Sequence, residues 1–187
     1  MTNKKYFFIG IGGIGMSSIA QYLHEKENTI LGYDASENKS IKILLKKGID
    51  VINKLSLKSI PDYMKKDDVI VVYTPAIPDD NIFLKYFRKN GNNQIYKRSE
   101  MLGEISRQSK CIAVAGTHGK TTTSAIISHL FHSSGIHFKA FIGGIMKCFD
   151  SNFINTGNDY IIVEADEYDR SFLNLNPNYA VITSIES

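Results

Sequence analysis

Apolar positions along this chain fall in short unbroken runs separated by amphipathic stretches. Runs rich in strand-forming residues occur at 5–10 (KYFFIG), 29–33 (TILGY), 68–74 (DVIVVYT), 111–116 (CIAVAG), 139–143 (KAFIG), 159–165 (DYIIVEA) and 179–184 (YAVITS), with shorter ones at 50–52 and 94–96. Continuous rather than alternating runs predict strands covered on both faces, as in a parallel sheet. The intervening stretches predict helices at 14–26, 38–47, 80–90, 98–107 and 119–134. This strand–helix alternation predicts a doubly wound α/β architecture. The polar stretch SRQSK at 106–110 precedes a fresh strand–loop–helix unit, which divides the chain into domains at 1–106 and 107–187.

Composition narrows the function classes. With 22 basic and 19 acidic residues the formal charge is +3, and the lysines are scattered rather than gathered in a stripe, so no nucleic-acid surface is expected. Lys4-Lys5 followed by apolar residues superficially resembles a signal peptide, but four glycines within residues 10–15 make a poor apolar helix. No run reaches the roughly 18–20 apolar residues of a membrane span. A cytoplasmic protein with no membrane partner is expected. Cys111 and Cys148 lack metal or disulfide spacing and read as free thiols.

Two glycine loops carry the chemistry. The first, FFIGIGGIGMSSIA, places Gly10, Gly12 and Gly15 as G-x-G-x-x-G between a strand and a helix, with Asp34 at the end of the next strand. Such glycines allow a tight turn and close approach of a diphosphate to a helix start, and the strand-end carboxylate can accept from a ribose hydroxyl or a base N–H. NAD and a UDP-sugar both fit this pattern. The second, AVAGTHGKTTTSAII, ends in the Gly-Lys-Thr of a phosphate-binding loop, yet a Walker A loop would need glycine where Val114 stands. Even so, Gly116, Thr117, His118 and Gly119 can turn successive N–H groups toward a phosphate, Lys120 adds a point charge, and the Thr121 hydroxyl can reach Mg²⁺. His118 could contact phosphate or simply occupy the loop. Some forty residues on, the apolar run YIIV delivers Glu164 at a strand end, as in a magnesium-organising acidic site.

Together the segments GIGGIGMSSIA, YTPAIPDDN, RSEMLGEI, AVAGTHGKTTT, FIGG and EADEYDRSFL resemble, in this order and across essentially the whole chain, the Mur ligases of peptidoglycan precursor synthesis. The ATP loop of that family resembles G-T-x-G-K-[ST], a shorter loop that accounts for the displaced glycine. The resemblance implies a Rossmann-like domain that holds UDP-N-acetylmuramate, followed by part of a P-loop-type ATPase domain. Gly10, Ile11, Gly12, Gly13, Ile14, Gly15, Asp34, Thr74, Ala76 and Ile77 are then the UDP-sugar site. Gly116, Thr117, His118, Gly119, Lys120, Thr121 and Thr122 are the ATP site, Thr121 and Glu164 hold Mg²⁺, and Lys120, Glu164 and His118 are catalytic. The implied reaction joins L-alanine to the lactyl carboxylate of UDP-N-acetylmuramate through an acyl phosphate, with the murein tripeptide ligases as the nearest alternative. The amino-acid site is expected in a further C-terminal domain, so the 187-residue chain is expected not to ligate by itself. Tyr168 and Arg170 depart from the small residues many relatives carry, and Thr74-Pro75 stands where serine is frequent. Two other classes remain open: an NAD-dependent oxidoreductase using only the first loop, and a non-catalytic nucleotide-binding regulator.

Overall fold

The computed structural model describes residues 3–66, 68–89, 93–166 and 172–185. The chain divides into two compact units, Met1–Arg98 and Ser99–Ser187, so the division falls at the start of the helix 98–106 rather than behind it.

The first unit contains β1 (Lys5–Ile9), α1 (Ile14–Glu25), β2 (Thr29–Tyr33), α2 (Lys39–Lys46), β3 (Asp50–Ile52), β4 (Val69–Tyr73), α3 (Ile82–Lys89) and β5 (Ile95–Lys97). Two 3₁₀ turns, Leu57–Ser59 and Asp62–Met64, fill the segment between β3 and β4. The strands form one parallel sheet in the order β3-β2-β1-β4-β5. Strand alternation sends Phe7 and Phe8 to opposite faces, and both are fully buried, as the unbroken apolar run requires. Phe7 meets Phe83 and Phe87 of α3 at ring separations of 5.6 and 5.1 Å, and Tyr33 joins Phe83 at 5.0 Å. Each such buried ring contributes about 1.5–3 kcal/mol. From β1 the chain builds outward to β2 and β3, then returns to β4 on the other side. The order reverses between β1 and β4, the place where open α/β sheets form a ligand crevice at their carboxyl ends.

The second unit contains most of α4 (Arg98–Ser106), then β6 (Lys110–Ala115), α5 (Lys120–Ser133), β7 (Phe138–Met146), β8 (Ser151–Asn155), β9 (Tyr160–Glu164) and β10 (Tyr179–Ile182). Its sheet runs β10-β6-β9-β7-β8, with β8 alone antiparallel, in a hairpin with β7. β8 has no counterpart in the sequence expectation. Its first residues, Ser151 and Asn152, are polar yet 6% and 0% exposed, so the strand carries no apolar run to announce it. On one face Phe138, Ala140, Ile142, Ile154 and Ile162 pack under Ile127 and Phe131 of α5. Cys111 is buried in β6 and its thiol is pushed up to about 11 by burial, which keeps it protonated and unreactive at neutral pH; Cys148 is exposed. No helix among the described residues is long and apolar enough to cross a membrane.

Candidate functional site

In the first unit the parallel register ends β1, β2 and β4 level at Ile9, Tyr33 and Tyr73. The segments that follow, 10–15, 34–38 and 74–77, therefore leave the same edge of the sheet. Thr74 Cγ2 lies 2.8 Å and Ile77 Cδ1 3.5 Å from the point where a Cβ on Gly10 would stand, so the YTPAI segment is seated against the glycine loop. Gly13 and Ala76 are exposed, whereas Ile11 is fully buried, so only its backbone belongs to the loop surface. Ile14 and Gly15 open α1, whose N-cap Gly13 offers no side-chain acceptor and whose first turn has no acidic residue.

The loop donors and Asp34 are engaged within the chain. The N–H groups of Gly10 and Ile11 both donate to Tyr33 O, at 2.8 and 3.1 Å, and Gly13 N donates to Gly10 O at 3.2 Å. Gly12 N donates to Asp34 Oδ2 at 2.8 Å. The turn itself engages these donors. Asp34, expected at the sugar-nucleotide site, makes contacts of its own. Its Oδ1 accepts from Ser36 N and Oγ at 2.9 and 2.6 Å while Oδ2 holds Gly12, so its carboxylate fastens the loop. Asn38 completes the brace, donating to Gly12 O at 3.2 Å and capping α2 at Ile41 N. Because Asp34→Ala strands the buried Gly12 N–H, we expect it to lower folding stability by about 1–3 kcal/mol in urea unfolding. A variant as stable as the parent would show that the brace carries no weight.

In the second unit the phosphate-loop candidate joins β6 to α5. Val114, where a Walker A glycine would stand, is a fully buried residue of β6, and the turn comprises only residues 116–119. Gly116 and Gly119 have φ of +126° and +82°, conformations that favour glycine, and Gly119 serves as the N-cap of α5. The segment after β10 closes over the turn. Thr117 N donates to Ser184 O and His118 N to Ser184 Oγ, at 3.0 and 3.1 Å, while Thr183 Oγ1 donates to the His118 carbonyl. The donors at 117 and 118, expected to face a phosphate, thus bind Ser184, and Gly119, Lys120, Thr121 and Thr122 follow at the start of α5. Lys120 Nζ donates to Gly116 O at 2.5 Å, which draws the ammonium over the turn.

Opposite α5, β9 runs beside β6 and presents Glu164. Thr121 Oγ1 donates to Glu164 Oε2 at 3.0 Å, Ser124 Oγ to Oε1 at 2.9 Å, and Gly143 N to Oε1 at 2.7 Å. A Cβ on Gly143 would stand 2.5 Å from Glu164 Oε2 and 3.0 Å from Thr121 Oγ1. The FIGG segment therefore needs glycine where β7 meets the acidic strand. Among the described residues no group of three or more His, Cys, Asp or Glu gathers as a metal cluster. The hydroxyl and carboxylate oxygens of Thr121 and Glu164 do suit Mg²⁺, which binds through one or two protein oxygens plus phosphates. Gly143→Ala should push Glu164 off Thr121 and weaken MgATP binding about tenfold, the scale of a lost ligand-orienting contact. Calorimetric titration would show it, and unaltered affinity would mean that β7 does not position the carboxylate.

Beyond Thr121 and Thr122, a groove of about 760 Å³ runs between α5 and β7, walled by Ile126, Leu130, Ile142, Ile145 and Met146. Ser124, Gly143, Thr183 and Ser184 were not marked as site residues by the sequence, although all four lie in segments it singled out. Asp166, next to the acidic strand end, is half-buried, while Glu167, Tyr168, Asp169 and Arg170 lie outside the described residues.

Residues 5–110 fit the sequence profile described as "Mur ligase family, catalytic domain". The UDP-N-acetylmuramate–L-alanine ligase of Christiangramia forsetii is 43% identical over 186 residues, covering 98% of this chain and 41% of the relative. That of Porphyromonas gingivalis is 46% identical over 185 residues, covering 98% and 40%. Among solved structures, the UDP-N-acetylmuramate-alanine ligase of Thermotoga maritima superposes with a TM-score of 0.88 at 31% identity, over 98% of this chain and 42% of that one. The chain spans about 40% of the length of the curated relatives it matches. With both glycine loops in place and the profile covering more than half its length, the chain belongs to the Mur ligase family.

Proposed function

We propose that this chain supplies the sugar-nucleotide and ATP sites of a ligase that joins L-alanine to the lactyl carboxylate of UDP-N-acetylmuramate. The observation that carries the reading is the Thr121–Glu164 pair, held 3.0 Å apart at the start of α5 beside Lys120. A dehydrogenase using the first loop alone has no employment for it. The choice of L-alanine rests on the names of the relatives at 43% and 46% identity, against 25% for the solved ligase from Neisseria meningitides that takes a tripeptide.

In this mechanism an oxygen of the acceptor carboxylate attacks the γ-phosphorus of ATP, the bond to ADP breaks, and an acyl phosphate forms. The alanine amine then attacks the carbonyl carbon, loses a proton to solvent, and phosphate leaves with the former carboxylate oxygen. Such transfers depend on positioning and charge neutralisation. Lys120 exchanges its contact with Gly116 O for the phosphate oxygens and offsets their charge. Thr121 and Glu164 would hold Mg²⁺, whose charge would offset that of the transferring phosphate when bound. Ser124 and Gly143 N keep the Glu164 carboxylate aimed at Thr121. His118, exposed on the turn, contacts a phosphate oxygen. The groove beyond Thr121 gives room for the acceptor next to the transferred phosphoryl group.

The test is isotopic. In a ligase that carries this chain, UDP-N-acetylmuramate labelled with ¹⁸O in its lactyl carboxylate should pass one label to the released phosphate, and L-alanine should be used in preference to the tripeptide. Unlabelled phosphate would exclude the acyl phosphate, and preference for the tripeptide would move the chain to the neighbouring branch.

A further inference from the structure

The sugar-nucleotide reading of the first unit leaves a charge unanswered. The turn donors at Gly10, Ile11, Gly12 and Gly13 are all engaged within the chain, so the glycine loop by itself does not neutralise a diphosphate. Resting on that reading, we propose that Arg98, the last residue of the first unit, is the side chain that grips the diphosphate.

Arg98 reaches the loop from far along the sequence. Its Nη1 lies 2.8 Å, its Cδ 3.2 Å and its Cζ 3.6 Å from the point where a Cβ on Gly15 would stand. The third glycine of the motif is thus the seat of a guanidinium: any side chain at Gly15 would displace it. The chain brings Arg98 there through β5, which pairs with β4 in register Tyr73↔Lys97, so Arg98 leaves the same sheet edge as the 74–77 segment. The side chain is half-buried, which limits the entropy lost when it binds.

The electrostatics favour an anion at this spot. Placed beside the first turn of α1, the guanidinium has the same sign as the partial charge of a helix N-terminus, and that turn contains no acidic residue. A diphosphate meets both favourably, and the planar fork matches two phosphate oxygens where a lysine offers a single point charge. The assignment gives the RSEMLGEI segment a role distinct from helix formation.

The experiment is a pair of NMR titrations of the 187-residue chain, with UDP and with uridine, on the parent, Arg98→Ala and Arg98→Lys. Uridine shares the nucleoside and lacks the diphosphate. Arg98→Ala is expected to lower UDP affinity about ten- to a hundredfold, the range of a charge-assisted contact, with uridine affinity unchanged and Arg98→Lys in between. Unchanged UDP affinity in Arg98→Ala overturns the assignment and leaves the sugar-nucleotide reading standing. Equal losses for UDP and uridine also overturn it, because Arg98 then supports the fold and not the diphosphate. Failure of the parent chain to bind UDP removes the reading beneath it and the proposal together.

Discussion

Lys120→Ala should lower ATP-dependent phosphate release by about 10²- to 10³-fold in any ligase that carries this chain, while UDP-N-acetylmuramate still binds. The reason is local. Lys120 begins α5 directly after the Gly119 cap, and its ammonium lies 2.5 Å from Gly116 O, over the turn that a triphosphate would occupy. A transferring phosphoryl group develops charge on its equatorial oxygens, and a preplaced cation is worth most at that moment. Lys120 belongs to the second loop and the sugar-nucleotide site is proposed on the first, so the two ligands should separate cleanly. In the 187-residue chain the same substitution should appear as weaker MgATP binding by calorimetry. Turnover and ATP affinity both within a few-fold of the parent would end the assignment of the second loop.

Glu164→Gln should be nearly as damaging, by about 10²-fold in turnover, with the fold preserved. The carboxylate accepts from Thr121, Ser124 and Gly143 N, and an amide oxygen can keep part of that set. What glutamine removes is the negative charge that the proposed metal site would offer a divalent cation. The discriminating readout is therefore metal affinity: Mn²⁺ binding in the presence of ATP, followed by electron paramagnetic resonance, should weaken, while the urea unfolding midpoint stays near that of the parent. Mn²⁺ affinity equal to the parent's would make Glu164 a structural anchor for β7 and remove it from the metal site.

Much of the fold was legible because buried parallel strands must be apolar on both faces. The runs YFFI, VIVVY and YIIVE announce β1, β4 and β9 without help from context. β8 was not legible, since its buried Ser151 and Asn152 look like loop residues and its pairing with β7 is a tertiary fact. The phosphate-loop candidate could be read because its residues are contiguous. Its supports could not: Ser184 is 66 positions from His118, and Gly143 is 21 from Glu164. Asp34 shows a different limit. Its position at a strand end was plain, but the direction of its carboxylate depends on Gly12 and Ser36, and only coordinates reveal that it faces the loop. Arg98 passed unremarked because nothing in a helical pattern says which neighbour its first side chain meets.

The central claim is that one chain holds a sugar-nucleotide site and an ATP site on separate glycine loops. The most direct measurement is the backbone amide response of the 187-residue chain to three ligands added in turn. UDP-N-acetylmuramate should shift the amides of residues 10–15, Thr74, Ala76 and Ile77, MgATP those of 116–122 and 164, and NAD neither set. Saturable shifts at 10–15 with NAD, and none with UDP-N-acetylmuramate, would contradict the account.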